Sequence, residues 1–255
     1  MTFKEYALPA SLEEAWQLNQ KKSNRVVAGN LWLKMSRAAC HTAIDLSNLP
    51  LHDIEEKEDC FVIGCMVTLH DLERHEGLNR LWGGAIHAAL SPIVGVQFRN
   101  CATVGGSLFG RYGFSDVLTL FMSLDAEVEL YRAGHMTLTD FAQRPYDRDI
   151  LTHVILPKGS PEPVYLCRRN TATDVPVLTC AVSCKEGRVF ACIGARPMRA
   201  VRVDCPEGFS AAQFAEYVQQ QVSFGGNLRA GAEYRRHIAG VLIRRACAQI
   251  GGMDK

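Results

Sequence analysis

Apolar and polar positions along this chain change period several times, and each change marks an element. In "SLEEAWQL" Ser11 and Glu14 stand in capping-box register ahead of apolar residues at helical spacing, which predicts a first helix. "RVVAGN" reads as a short buried strand running into a glycine turn, and "HTAIDLSNL" and "DCFVIGCMVTL" read as two more strands. "TLHDLERH" reads as a solvated helix start capped by Thr68, with His70 and His75 on different faces. "LNRLWGGAIHAALSPI" keeps a helical pattern through Gly83 and Gly84, and "DVLTLFMSLDAEVELY" passes from helical period to strand alternation around Asp125. After "DILTHVILPKGSPEP" the prolines and glycine near 157–163 mark a boundary. Beyond it "VYLCRRN", "PVLTCAVSC" and "GRVFACIGA" predict consecutive antiparallel strands, followed by helices near 210–222 and 231–249. The expectation is an α+β chain of two mixed domains, 1–160 and 161–255.

A length of 255 residues allows two such domains, each with its own core. The formal net charge is +1 with both signs interspersed, which argues against a nucleic-acid or membrane-surface partner. The N-terminal stretch has no long apolar core and no run reaches membrane-spanning length, so a cytoplasmic protein is expected. Ten scattered cysteines without a C-x-x-C read as free thiols in a reducing compartment. The closest pairs, Cys60 with Cys65 and Cys180 with Cys184, lack further ligands at metal-site spacing.

Candidate chemistry concentrates in "CATVGGSLFGRYGFSD". Gly105 and Gly106 carry no Cβ, so their amides could crowd into a nest that cradles phosphate oxygens, with the Thr103 hydroxyl as a further donor. Asp116 would then accept from a ribose hydroxyl. Phosphate plus sugar means a nucleotide. Spacing alone favours a turn or bulge, as most Gly-Gly pairs are, and neither G-x-G-x-x-G nor a Walker A motif is present.

The ensemble resembles the FAD-binding medium subunits of the molybdenum hydroxylases, of xanthine dehydrogenase and carbon monoxide dehydrogenase type. "RNCATVGGSLFGRYGFSDVLTLFMSLDAEVEL" is similar, without insertion or deletion, to the family's R-N-x-A-T-I-G-G-N-L, its spaced aspartate and its L-D-A-x-V-x-L. "VVAGN" resembles the first glycine loop, "IDLSNLPL" and "FVIGCMVTLHDLE" the strands after it, "DILTHVILP" the strand closing the FAD domain, and "AEYRRHIAGVLIRRA" the C-terminal helix. The resemblance implies a two-part FAD-binding domain of the vanillyl-alcohol oxidase (PCMH) type followed by a small sheet-and-helix domain.

Carried over by position, it makes Thr103, Gly105, Gly106 and Ser107 the second pyrophosphate loop, with Ser107 where asparagine is usual. Asp116 becomes the sugar-binding acid, Ile93 lines the flavin or adenine, and Leu151 is an apolar contact from the closing strand. Tyr165 and Arg168 become candidates to approach the flavin ring. The first loop, Ala28-Gly29-Asn30-Leu31-Trp32, is about two residues shorter than the family's A-G-G-T-D-L, and Asn30 replaces a glycine in a way that left-handed backbone angles tolerate. What the resemblance implies is noncovalent FAD, since no histidine or cysteine flanks the loops in a linking pattern and Cys101 is expected to pack inward from a strand. It further implies electrons arriving from iron-sulfur clusters on a partner chain, a molybdopterin-binding partner, and NAD or another acceptor. The shortened loop motivates an alternative, a scaffold subunit that no longer binds flavin.

Overall fold

The computed structural model describes residues 2–250. The chain opens as a β-α-β unit: β1 (Thr2–Ala7), α1 (Leu12–Asn19) and β2 (Arg25–Val27), then a 3₁₀ turn at Leu33–Met35 and β3 (Ala39–Asp45). β3 inserts between the other two strands, giving a parallel sheet in the order β1-β3-β2. Ser11 caps α1 by accepting from the Glu14 N–H at 3.2 Å, while the Glu14 carboxylate reaches one residue further back, to the Ala10 N–H at 2.8 Å. β1 escapes pattern reading because Thr2 to Tyr6 are all exposed on an edge strand with no buried face to impose alternation.

β4 (Ile54–Glu56) and β5 (Cys60–Gly64) start a second sheet. Six helices interrupt it: α2 (Leu69–Arg74), α3 (Glu76–Leu81), α4 (Ala85–Leu90), α5 (Val96–Arg99), α6 (Val104–Phe109) and α7 (Asp116–Ser123). β6 (Glu127–Leu130), β7 (Gly134–Thr137), α8 (Leu138–Gln143) and β8 (Leu151–Pro157) complete it in the antiparallel order β4-β5-β8-β6-β7. Thr68 caps α2 as expected, accepting from the Asp71 N–H at 3.1 Å. His75 is not on that helix; its Nδ1 caps α3 by accepting from the Leu78 N–H at 3.2 Å. The expected single helix through Gly83 and Gly84 is broken into α3 and α4, because both glycines take left-handed φ angles of 53° and 79°.

The last third supplies β9 (Val164–Arg168), β10 (Leu178–Lys185), β11 (Arg188–Gly194), β12 (Val201–Asp204), α9 (Ala211–Gln221) and α10 (Ala232–Ile250). Its antiparallel sheet, ordered β12-β11-β10-β9, is covered on both faces. Leu178, Cys180 and Val182 of β10 join Phe214, Val218 and Ile243 in one core, whereas the intervening residues face α7. There the Thr179 and Thr119 hydroxyls meet at 2.8 Å and Ser183 donates to the Ser123 carbonyl at 2.9 Å. The three consecutive antiparallel strands expected from the sequence are β9, β10 and β11. All ten cysteines are free thiols, and among the described residues no group of three or more His, Cys, Asp or Glu could hold a metal. No described helix is long and apolar enough to cross a membrane.

Candidate functional site

A cleft of about 670 Å³ opens where the β2–β3 connection, helices α5 to α7, and the loops before β8 and after β9 meet. Its lining contains Ala28, Gly29, Asn30, Leu31 and Trp32 from the first loop, Thr103, Gly105, Gly106 and Ser107 from the second, and Ile93, Asp116 and Leu151. One site therefore gathers both glycine loops, Ile93, Asp116 and Leu151. Three glycines shape how these segments approach one another. A Cβ on Gly29 would lie 1.7 Å from the Cys101 carbonyl oxygen, so the first loop packs backbone to backbone against the entry to the second. A Cβ on Gly105 would lie 2.6 Å from the Cys65 Cβ and 2.7 Å from its carbonyl oxygen. At Gly106 only the Thr103 Oγ1 stands near, at 3.1 Å, and the residue lines the cleft.

The expected nest of outward amides does not form at the second loop. Thr103 is instead the N-cap of α6, and its hydroxyl accepts from the Gly106 N–H at 3.1 Å. The Val104 and Gly105 amides donate to the carbonyls of Val67 and Cys65 at 2.9 and 2.8 Å, and that of Ser107 to the Thr103 carbonyl at 3.0 Å. The Ser107 hydroxyl also folds back, donating to the same carbonyl at 2.8 Å. The start of α6 and the contact with the segment after β5 have consumed these donors. The free donors lie in the first loop: the N–H groups of Asn30, Leu31 and Trp32 donate to none of the described residues. Asn30 takes the left-handed φ of 53° that its substitution for glycine anticipates, and its Oδ1 is buried without a partner.

Aromatic residues span the cleft from one loop to the other. Trp32 lies 4.9 Å from Phe114 and 5.7 Å from Phe98, ring centre to centre, and Phe114 stacks on Tyr112 at 5.2 Å and 12°. Such faces accept a planar heteroaromatic ring.

Asp116 starts α7 and is 4% exposed. Its Oδ1 accepts from the Tyr165 hydroxyl at 2.5 Å and pairs with Arg169 Nη2 at 2.6 Å. Burial pushes the carboxyl up, while Arg169 and Tyr165 pull the other way. Burial also pushes the Tyr165 hydroxyl well up, with the neighbouring Asp116 charge adding to it, so Tyr165 is the donor in this pair. Tyr165 thus reaches the site by holding the acid from behind. Arg168 does not reach it: its Nε bonds to the Tyr234 hydroxyl at 3.3 Å, and Arg169 lines the cleft in its place. The loop after β9 is pinned at Asp174, another lining residue, by a fork from Arg229 at 2.6 and 2.8 Å.

One expectation about cysteine is corrected. Cys101 does not pack inward from a strand; it is exposed in the turn after α5. Cys65 does line the cleft, but burial pushes its thiol up to about 12, which leaves it protonated and inert.

With this geometry in view, the comparisons decide the family. A model described as "FAD binding domain in molybdopterin dehydrogenase" matches residues 1–159. The chain belongs to that family. YgfM of Escherichia coli K12, an uncharacterised protein, is 26% identical over 243 residues, covering 92% of each chain. The nicotine 6-hydroxylase medium subunit of Paenarthrobacter nicotinovorans is 26% identical over 276 residues, covering 96% of each. Quinoline 2-oxidoreductase from Pseudomonas putida 86 superposes with a TM-score of 0.83 at 20% identity, over 98% of this chain and 96% of that one. Carbon monoxide dehydrogenase from Hydrogenophaga pseudoflava gives 0.85 at 21%, over 96% of each. The two solved structures share the fold of this chain over nearly its whole length.

The residues present fit FAD. The cleft has the size of a nucleotide site, its walls are mainly apolar and aromatic, and unengaged backbone amides stand in the first loop. Sequence reading missed Arg169, Asp174 and the aromatic bridge. Arg169 could have been found only by the phase of β9, since Arg168 and Arg169 are adjacent and point to opposite sides.

Proposed function

We infer that this chain is the FAD-carrying electron-transfer subunit of a molybdenum hydroxylase complex. Residues 1–160 would hold the cofactor noncovalently and residues 161–255 would close one side of it. The observation that carries the reading is the convergence of both glycine loops, Asp116, Ile93 and Leu151 on one cleft in a chain of this family. The medium-subunit name of the nicotine 6-hydroxylase relative supports a heteromeric setting, in which iron-sulfur and molybdopterin groups sit on partner chains.

Bound flavin supplies the exchange between single electrons arriving from iron-sulfur clusters and a hydride leaving to NAD or another acceptor. The chain's own residues bind and orient. Asn30, Leu31 and Trp32 offer amides to the diphosphate, and Thr103 adds its hydroxyl proton, which has no acceptor among the described residues. Gly106 keeps the approach clear, and Asp116 Oδ2, which accepts from no described side chain, offers one oxygen to a sugar hydroxyl. Ile93 and Leu151 exclude water from the ring system.

A second reading, a scaffold subunit without flavin, draws on the shortened first loop and on the internally satisfied amides of the second. The test is the visible absorption of the purified chain with and without added FAD. Retained flavin colour supports electron transfer; a colourless protein that takes up no FAD, even with its partner subunits present, overturns it.

A further inference from the structure

We propose that the end of the cleft beneath Tyr146 is a second anion subsite, built by Arg111, Arg199 and Arg144, that takes the diphosphate group of a nucleotide. Arg111 is 2% exposed and is held at a left-handed φ of 42°. Its Nε donates to the Phe141 carbonyl at 2.9 Å, while Nη1 and Nη2 are buried and donate to nothing among the described residues. The guanidinium carbon lies 4.0 Å from the centre of the Phe141 ring, 4.7 Å from that of Tyr146 and 5.4 Å from that of Phe109. Ring faces stabilise a cation, yet they offer no acceptor to N–H groups in the guanidinium plane.

The neighbouring charges sharpen the demand for an anion. The Arg199 guanidinium carbon lies 4.9 Å from the Tyr146 ring centre, and Arg144 pairs with Asp147 at 2.7 Å. Three cations thus meet one carboxylate. Burial depresses the proton affinity of Arg111 and the nearby Arg199 charge adds to it, as befits a cation without a counter-charge. Leaving such a charge buried and unpaired is costly unless a ligand answers it.

Access is built in. Tyr146 is 58% exposed and is tethered through its hydroxyl to the Gly110 carbonyl at 2.6 Å. Phe109, Gly110, Tyr146 and Asp147 all line the cleft, so a swing of the Tyr146 ring opens Arg111 toward it. A diphosphate matches the net cluster charge of about +2 and forked guanidinium geometry, and an attached base could stack on the displaced ring.

Two sources share this chemistry: the diphosphate of FAD itself, for which the short first loop offers few donors, or that of a nicotinamide dinucleotide acceptor. The choice between them rests on the flavin reading above; the need of the arginines for an anion does not. The experiment is calorimetric titration of the full chain with ADP and with inorganic pyrophosphate, with and without saturating FAD. Both probes are expected to bind, about tenfold or more weakly in Arg199→Met and not measurably in Arg111→Met. Arg199 is half-buried, so its variant decides if Arg111→Met fails to fold. Arginine-dependent binding that survives FAD loading assigns the subsite to an acceptor. Arginine-dependent binding displaced by FAD, with weaker FAD uptake by Arg199→Met, assigns it to the flavin's own diphosphate. No binding, or binding indifferent to both substitutions, overturns the subsite even if FAD is taken up normally. Arginine-dependent ADP binding in a chain that takes up no FAD would keep the subsite and remove the flavin reading.

Discussion

The two glycine segments of the cleft divide the work in the reverse of what their sequences suggest. The second, "TVGGS", matches its family pattern in length, yet its amides are spent on starting α6 and on bonds to Val67 and Cys65. The first, "AGNLW", is short, yet it keeps the amides of Asn30, Leu31 and Trp32 unengaged beside a left-handed Asn30. One segment supplies shape and the other supplies donors. Glycine spacing reports where the backbone must come close to something, and only the fold says whether that something is a ligand or more protein.

Breaking the packing glycines should do most damage. Gly29→Val drives a branched side chain into the Cys101 carbonyl, which a Cβ alone would approach to 1.7 Å. A cost of about 3 kcal/mol or more is expected, corresponding to a Tm lowered by roughly 6–12 °C in a chain of this size. A Gly29→Val protein that melts with the wild type would show that the two loops are not in contact. Gly106→Val sharpens the contrast, because a Cβ there meets only the Thr103 hydroxyl and the residue lines the cleft. FAD uptake is expected to vanish while the melting temperature of the flavin-free chain changes little; a folded variant that retained flavin at the wild-type ratio would break the assignment of this loop.

What could be read in advance follows the same line. Alternation and capping located most elements, because Ser11, Thr68 and the β10–β11 strands carry their local signals openly. The edge strand β1 and the kink at Gly83-Gly84 stayed hidden, the first having no buried face and the second depending on φ angles that pattern does not encode. The resemblance-based residues of the two loops, with Ile93, Asp116 and Leu151, reach one cleft, since position along a matched segment survives divergence, whereas Arg168 turns away to Tyr234. Donor direction does not survive in the same way, and neither does the partner of Asp116, Arg169, which comes from the start of the loop after β9, 53 residues on.

Asp116→Ala breaks a bond between the cleft and the C-terminal sheet. It leaves Arg169 buried with its charge unanswered, so about 3–5 kcal/mol of stability should be lost. The double variant Asp116→Ala with Arg169→Met should recover much of that loss in denaturant unfolding; strictly additive losses would show that the pair is not coupled. FAD affinity is expected to fall in both, but less than in Gly106→Val, because only one sugar contact is removed.

The smallest effect tests the donor half of the comparison. Asn30→Gly keeps the left-handed backbone angle and the free amides but removes the side chain whose Oδ1 is buried without a partner. If the side-chain amide donates through its Nδ2 to the diphosphate, FAD binding should weaken about tenfold, the worth of one charge-assisted hydrogen bond. Asn30→Ala adds a second burden, since alanine at a φ of 53° costs on the order of 1 kcal/mol in backbone strain. The two variants should therefore rank glycine above alanine in stability while sharing the same loss of affinity. Titration of each apo protein with FAD, followed by quenching of flavin fluorescence, separates the terms. Wild-type affinity in Asn30→Gly would leave the diphosphate to the backbone of the first loop alone.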